Sequence, residues 1–272
     1  MLSEPVLRDL FLLPFLAGLA PTIFLPWIGN YLRLRDEWLA TLGLAHLSTA
    51  GALLAHLWHW PGVLGALLFS TLGVAGKQIG GGNSNSVYAL MLLLGWSSTL
   101  LLAANLALGD ALTQAMIDGQ LYFAGKTELL ANACLLMLIT FFLARLGPVL
   151  LRNRWFPSQA RANRQRFWRC SLMFDLVAAA AIAAATATLG LMAGFALVFV
   201  PSWMAFRLAG SWRQTFWLAT GLGVVSYVLA FTLALFLDQP FGPLLTLVLL
   251  LAASLVVLWQ RCRRLKPDIA AG

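Results

Sequence analysis

Residues 129–151 read LLANACLLMLITFFLARLGPVLL, and they run directly into residues 152–169, which read RNRWFPSQARANRQRFWR. The first stretch is long and apolar enough to cross a bilayer, because a spanning helix needs about 20 such residues. The second stretch contains six arginines and no acidic residue. Short loops rich in arginine and lysine stay on the cytoplasmic side of a membrane. These two stretches therefore predict a spanning helix that ends in a cytoplasmic loop.

The composition of the whole chain is that of a membrane protein. Of its 272 residues, 61% are hydrophobic and 10% are charged, and the mean hydropathy is +0.84. A soluble domain needs far more polar residues to cover its surface. We therefore expect an all-α, polytopic integral membrane helical bundle, which forms a single transmembrane domain over residues 1–272.

Apolar stretches divide the chain into about eight or nine transmembrane helices. The first stretch is either one span or a shorter span preceded by an interfacial helix. Counted as nine, the stretches are residues 10–32, 38–58, 61–76, 87–108, 129–151, 171–189, 190–206, 214–237 and 241–259. Residues 109–127 are mixed in character and too short in their apolar part to span. They predict a hairpin or interfacial segment on the outer side.

The basic residues give the orientation. When the nine stretches cross the membrane alternately, 16 of the 18 basic residues fall on one side, and only Arg8 and Lys126 fall on the other. The basic side is cytoplasmic, which places the N-terminus outside. The net charge of +8 is then explained by short orienting loops. We favour this interpretation over nucleic-acid binding, and we expect the lipid bilayer but no nucleic acid as a partner.

Small residues are concentrated in one part of the chain. Residues 178–187 are nearly all alanine and threonine, and Gly190 and Gly194 form a GxxxG step. Small residues let helix backbones approach closely inside a membrane, although alanine is also simply a good helix former. Over residues 178–194 we expect a tightly packed central pair of helices.

His46 lies about eight residues into the second predicted span. An ionisable residue inside a bilayer is costly and is a functional candidate for that reason, and imidazole suits zinc and similar divalent metals. One interpretation is a transient metal ligand or pathway residue. The other is a neutral histidine that hydrogen-bonds a neighbouring backbone carbonyl and serves helix packing.

His56 and His59 lie in the sequence AHLWHWPG, at the outer interface. Residues three apart share a face of a helix, so the two imidazoles could form a weak metal site at the entry. Trp58 and Trp60 flank them, however, and aromatic residues also concentrate at membrane interfaces without any metal. Four acidic residues would make the same outer side mildly attractive to cations or would simply be solvated; they are Asp110, Asp118, Glu128 and Asp238.

Asp175 lies just inside the sixth predicted span. Because neighbours about four residues apart share a helix face, we expect its carboxylate to pair with Arg169 or Arg166. A role as a pathway carboxylate is the alternative.

Motifs of enzymes are missing from the chain. The segment GKQIGGGNS at residues 76–84 contains glycines and a lysine but lacks the GxxxxGK[ST] pattern of a phosphate-binding loop. The sequence also lacks HExxH and a nucleophile elbow. An intramembrane enzyme would need paired catalytic side chains, and His46 has no evident partner. We therefore expect a non-enzymatic protein that does not hydrolyse ATP by itself.

Three segments resemble the membrane subunits of zinc and manganese ABC importers, the ABC-3 metal permease family. Residues 31–54, YLRLRDEWLATLGLAHLSTAGALL, resemble the Arg-containing turn and histidine helix of that family. Residues 199–207 and residues 237–243 are similar to its proline step and its outer turn before the last helix. The chain departs from the family where Asp36-Glu37 replaces a Gly-Asp pair and Ala50-Gly51 replaces a Pro-Gly step.

The resemblance implies the permease subunit of a bacterial inner-membrane importer for a divalent metal, with zinc first and manganese second, and with no permanently bound cofactor. It implies a homodimer, separate ATPase subunits and an extracytoplasmic metal-binding protein. His46 would lie in the translocation pathway. Residues 152–170 would form the cytoplasmic coupling element, which would contact the ATPase through Arg161, Arg164, Arg166 and Arg169. The alternatives are a permease for a metal chelate such as a siderophore or cobalamin, and a non-ABC membrane transporter.

Overall fold

A computed structural model describes residues 4–80, 84–107, 109–156 and 167–265. These residues form ten α-helices and one short 3-10 turn, and no strand is found among them. The helices are α1 Glu4–Leu34, α2 Ala40–Leu57, α3 Gly62–Gly80, α4 Ser84–Asn105, α5 Gly109–Asp118, α6 Lys126–Trp155, α7 Phe167–Leu189, α8 Leu191–Leu208, α9 Trp212–Leu237 and α10 Phe241–Leu265, with the 3-10 turn at Leu121–Phe123.

In the described part of the chain, nine of these helices are long and apolar enough to cross a membrane. The exception is α5, which has ten residues and lies in the segment predicted to be interfacial. The fold class is therefore confirmed as a polytopic helical membrane bundle.

Four helices, α1, α2, α7 and α8, form the centre of the bundle, since more than half of each span is buried. The alanine-rich part of α7 is in this core, with Ala178, Ala179, Ala181 and Ala185 almost completely buried. The outer helices α3, α4, α6, α9 and α10 instead expose many leucines, as helices that face lipid do. The predicted close packing around residues 178–187 is confirmed.

Glycines set the closest helix contacts. A Cβ atom at Gly51 of α2 would collide with the carbonyl oxygen of Gly65 in α3, and the reverse also holds. Gly190 has a different role from the one expected, because it lies between α7 and α8 with φ of 91°. The prediction of a GxxxG helix step at Gly190 and Gly194 is therefore wrong. Gly190 forms the turn, since only glycine adopts this backbone conformation without strain.

The ends of the helices meet as the alternating topology requires. Lys77 contacts both Glu37 and Asp175, so the ends of α1 and α3 lie beside the start of α7 at the end of the bundle predicted to be cytoplasmic. At the opposite end, Gly119 packs against the α7–α8 turn, and Gly242 packs against the carbonyl oxygen of Asp118. The segment with α5 therefore closes the outer end.

Candidate functional site

A cavity of about 310 Å³ lies between the outer ends of α2, α3, α6 and α7. We call it the outer cavity. The segment from α5 through the 3-10 turn covers one of its sides. Its lining is formed by Ser48, Ala52, His56, Gly62, Val63, Ala66, Met116, Gln120, Phe123, Ala124, Glu128, Ala183, Thr186, Ala187 and Thr188.

His56 and Glu128 are the titratable residues among those that line the outer cavity. His56 projects from the last turn of α2, and the absence of a side chain at Gly62 leaves space for its ring. A Cβ atom at Gly62 would lie 3.2 Å from Nε2 of His56. Glu128 is fixed at the start of α6, where its Oε2 accepts a hydrogen bond of 2.8 Å from the backbone N–H of Gly125. The cavity thus combines one imidazole with one oriented carboxylate.

The predicted pairing of His56 with His59 does not hold. Helix α2 ends at Leu57, and His59 lies in the following turn with φ of 56°. The helical spacing on which the prediction rested is therefore interrupted between the two histidines. His59 is exposed and does not line the outer cavity, so an entry site at this position depends on His56 alone.

His46 lies away from the outer cavity, on another face of α2. Ser48, Ala52 and His56 are spaced by four residues and line the cavity, whereas His46 points toward α4. Its ring packs edge-on against Trp96, with 5.1 Å between ring centroids, and the side chain is 6% exposed. Gly95 makes this contact possible, because a Cβ there would lie 2.5 Å from the backbone carbonyl carbon of His46. Both interpretations of His46 remain predictions.

Among the described residues, no group of three or more histidine, cysteine, aspartate or glutamate side chains is arranged to hold a metal. A resident zinc site has three or four such ligands. The outer cavity, with hydroxyl and amide groups around one imidazole and one carboxylate, suits brief and weak contact with a cation.

The inner end of the bundle contains a buried group of four charged residues, which we call the ion-pair cluster: Arg35, Glu37, Lys77 and Asp175. Nζ of Lys77 lies 2.9 Å from Oε2 of Glu37 and 2.8 Å from Oδ2 of Asp175. Nη2 of Arg35 lies 3.0 Å from Oε1 of Glu37. Its Nη1 lies 2.9 Å from Oδ1 of Asp175, at ion-pair distance though not aligned as a hydrogen bond. Two positive and two negative charges are therefore balanced within one site.

Neighbouring groups complete the ion-pair cluster. Arg35 donates a hydrogen bond of 2.9 Å to Oγ of Ser171 and lies over the ring of Phe174 at 5.0 Å. Lys77 lies 5.4 Å from the ring centroid of Tyr88. Burial lowers the pKa of the Arg35 guanidinium, but the charges of Asp175 and Glu37 outweigh it, and the net shift is upward. Arg35 is thus a permanent cation in this site.

Asp175 does not pair with Arg169 as predicted. Its carboxylate is 1% exposed and pairs with Arg35 and Lys77, which come from other parts of the chain. Arg169 instead is exposed and lies over the ring of Trp168 at 5.6 Å. Six residues separate Arg169 from Asp175, so the two lie on different faces of α7. Arg166 lies outside the described residues.

Most of the predicted coupling element also lies outside the described residues, including Arg161, Arg164 and Arg166. Arg169 is on the first turn of α7, at the inner end of the bundle. Ser171, which accepts a hydrogen bond from Arg35, and Asp175, a member of the ion-pair cluster, follow within two turns. The segment predicted to contact an ATPase therefore leads directly into a helix anchored by this cluster.

Comparison with known proteins gives one family and several solved structures, including the two that follow. The family model described as the ABC 3 transport family matches residues 9–260. The chain is similar to the structure of PsaBC from Streptococcus pneumoniae in complex with Fab, with a TM-score of 0.80, 14% identity and coverage of 90% of both chains. It is also similar to a structure described as a metal-chelate type ABC transporter in an inward-facing conformation, with a TM-score of 0.76, 16% identity and coverage of 94% of this chain and 90% of that one. No curated protein matched the sequence.

Proposed function

Because the chain belongs to the ABC 3 transport family, we propose that it is the membrane-spanning permease subunit of an importer for divalent metal ions, with zinc the first candidate and manganese the second. The outer cavity carries this proposal, because it places the imidazole of His56 and the carboxylate of Glu128 in one outward-lying space. Nitrogen and oxygen donors of this kind suit zinc and manganese.

The small number of donors supports a transport role rather than storage. A permease must release its cargo, and tight tetrahedral coordination by three or four ligands would oppose release. One imidazole and one carboxylate would slow a passing cation without trapping it. The hydroxyl groups of Ser48, Thr186 and Thr188 would replace part of the lost hydration.

We further propose that separate ATPase subunits drive the transport, since the sequence has no phosphate-binding loop of its own. A homodimer in the bacterial inner membrane, supplied by an extracytoplasmic metal-binding protein, completes the proposed assembly. Residues 152–170 remain the proposed contact with the ATPase. The position of Arg169 at the start of α7 supports this, because α7 also carries Asp175, whose ion pairs with Arg35 and Lys77 connect α7 to the ends of α1 and α3.

A metal chelate is a second candidate for the cargo. The outer cavity of about 310 Å³ is far larger than a bare ion needs, since one water molecule occupies about 30 Å³. A cation that arrives already coordinated by a small ligand would need few protein donors. Within the described residues, the lack of a three-donor group is consistent with such a cargo.

Uptake by cells that lack the gene distinguishes these cargoes. A deletion strain grown under chelation is supplied with zinc, with manganese, or with iron or cobalt chelates, and the cell metal content is measured. Rescue of growth by added zinc or manganese, with the same metal requirement in a strain that lacks the ATPase partner instead, would support the proposal. Rescue by a chelate alone would favour the second candidate. If neither a metal nor a chelate restores growth, both candidate cargoes are refuted.

A further inference from the structure

A second large cavity lies at the opposite, inner end of the bundle and has a different chemistry. It has a volume of about 640 Å³ and lies between the ends of α1, α6 and α8 and the start of α2. We call it the inner cavity. Arg33 and Arg154 provide its positive charge and Asp36 its negative charge, while Trp38, Trp155 and Trp203 provide most of its aromatic surface.

The rim of the inner cavity is cationic. Arg33 stacks over Phe206 at 5.2 Å, and Arg207 lies over Trp203 at 3.9 Å. Within the described residues, no carboxylate lies within ion-pair distance of Arg33, Arg154 or Arg207. The guanidinium groups of Arg33 and Arg207 are therefore held in place largely by aromatic rings, with hydrogen-bonding capacity left for an anion.

The floor of the inner cavity is apolar and lies deeper in the membrane. Its base is formed by Phe199 and Trp203 of α8, and a separate pocket of about 20 Å³ lies beyond it, between Gly29, Leu32 and Val198. Phe199 and Phe206 are seven residues apart on α8, which corresponds to about 10 Å along a helix. That distance reaches from the headgroup region into the hydrocarbon layer. The cavity thus changes from cationic at its mouth to apolar at its base.

This gradient matches a phospholipid and not a water-soluble partner. Basic pockets between transmembrane helices on the cytoplasmic side bind anionic headgroups, and tryptophan concentrates at the same level. An acidic loop of another protein would use the arginines but leave the apolar floor empty. We infer that the inner cavity binds an anionic phospholipid, with the phosphate between Arg33 and Arg154 and one acyl chain along Trp203 and Phe199.

The inference predicts selective stabilisation by anionic lipid. The full-length chain is purified in a mild detergent and supplemented with phosphatidylglycerol or with phosphatidylcholine. The phosphatidylglycerol that is retained is counted by native mass spectrometry, and thermal unfolding is followed in parallel. We expect the wild-type chain to retain phosphatidylglycerol and to unfold at a higher temperature with it than with phosphatidylcholine.

The double variant Arg33→Gln/Arg154→Gln tests the site itself. Each arginine near an anionic headgroup contributes binding free energy, so that its removal should weaken lipid retention about fivefold. The double variant should therefore lose most of the bound phosphatidylglycerol. It should also unfold at the same temperature in phosphatidylglycerol as in phosphatidylcholine. The matched control Arg213→Gln/Arg261→Gln removes the same charge at the same end of the bundle, from exposed positions outside the inner cavity and outside the proposed ATPase contact. It should retain phosphatidylglycerol as the wild type does.

Four outcomes would overturn the inference. One is full retention by the double variant, and another is an equal loss in the control. A third is stabilisation by soluble glycerol phosphate as large as that by phosphatidylglycerol, which would indicate a phosphate site without a lipid. A fourth is an altered oligomeric state or ATPase assembly with unchanged lipid retention, which would make the cavity a protein interface. If the double variant does not fold, Arg154→Gln alone gives the same test, because Arg154 is exposed and its loss leaves the Arg33–Phe206 contact intact.

Discussion

Nζ of Lys77, in the last turn of α3, lies 2.8 Å from Oδ2 of Asp175 in α7. The side chain of Lys77 is 9% exposed and that of Asp175 is 1% exposed, so this ion pair is shielded from water. A buried charge that loses its partner retains the cost of its desolvation. The pair therefore joins two membrane-spanning helices that are distant in sequence and makes each side chain depend on the other.

The first prediction concerns the removal of one charge from the ion-pair cluster. Asp175→Asn would leave Arg35 and Lys77 with Glu37 as their remaining carboxylate. We expect a destabilisation of about 3–5 kcal/mol, typical of breaking a buried pair at one partner. Thermal unfolding in detergent measures it. Asp110→Asn, at an exposed position on α5, is the control and should change little. Equal unfolding temperatures for both variants would contradict the role assigned to the cluster.

The second prediction uses the charge balance of the cluster. Lys77→Gln/Asp175→Asn removes one positive and one negative charge and leaves Arg35 paired with Glu37 at 3.0 Å. We expect the double variant to be more stable than the sum of the two single changes predicts, with a coupling of about 1–3 kcal/mol. The measurement is a double-mutant cycle of unfolding free energies. Strict additivity would mean that the two residues do not interact in the membrane.

The sequence was sufficient to predict the membrane spans but not the ion-pair cluster, and the reason is physical. Hydropathy and the positions of arginine and lysine are local signals, and each span could be recognised by itself. Lys77 and Asp175, in contrast, are 98 residues apart, and Arg35 is 136 residues from Ser171. Such pairs arise only when the helices pack. Helical spacing therefore predicted Arg169 or Arg166 as the partner of Asp175, and Arg169 lies on another face of α7.

The outer cavity shows the same limit. His56 could be singled out from its position near the end of a span, but its pairing with His59 assumed that the helix continued. Helix α2 ends at Leu57, and Glu128 reaches the cavity from α6, which begins 69 positions later, at Lys126. A pair of donors assembled across helices has no signature in sequence spacing.

The third prediction concerns the contact between α2 and α4. A Cβ atom at Gly95 would lie 2.5 Å from the backbone of His46, so Gly95→Ala must push the helices apart. We expect a loss of about 1–3 kcal/mol in stability, as for other overpacked sites. Gly221→Ala in α9 is the matched control, because a Cβ there meets no atom within 4 Å. It should be neutral or slightly stabilising, since alanine favours helices by about 1 kcal/mol over glycine. The fraction of each variant that stays folded after heating measures the difference. A Gly95→Ala variant as stable as Gly221→Ala would contradict the close contact between α2 and α4.

The fourth prediction separates the two donors of the outer cavity. His56→Ala should weaken metal uptake about tenfold in apparent affinity, as expected for the loss of roughly 1.4 kcal/mol of binding, whereas His59→Ala should leave uptake unchanged. Glu128→Gln removes the carboxylate charge but keeps an oxygen that can accept from the N–H of Gly125, as in the capping box. It should therefore lower uptake without loss of stability. Radiolabelled zinc uptake into membrane vesicles measures both effects, and an equal response of His56 and His59 variants would refute the assignment.

The fifth prediction decides between the two interpretations of His46. Its ring packs edge-on against Trp96 at 5.1 Å, so a residue of similar volume can fill the space while the imidazole nitrogens are lost. His46→Leu should therefore fold and assemble with a change of less than about 1.5 kcal/mol in stability, typical of a core substitution that conserves volume. If His46 contacts the passing metal, zinc uptake by this variant is abolished although the complex still forms, and this is the result we expect.

Trp96→Leu provides the control, because it disturbs the same α2–α4 contact but leaves the imidazole in place. Normal uptake by His46→Leu, or an equal loss of uptake in both variants, would assign His46 to helix packing.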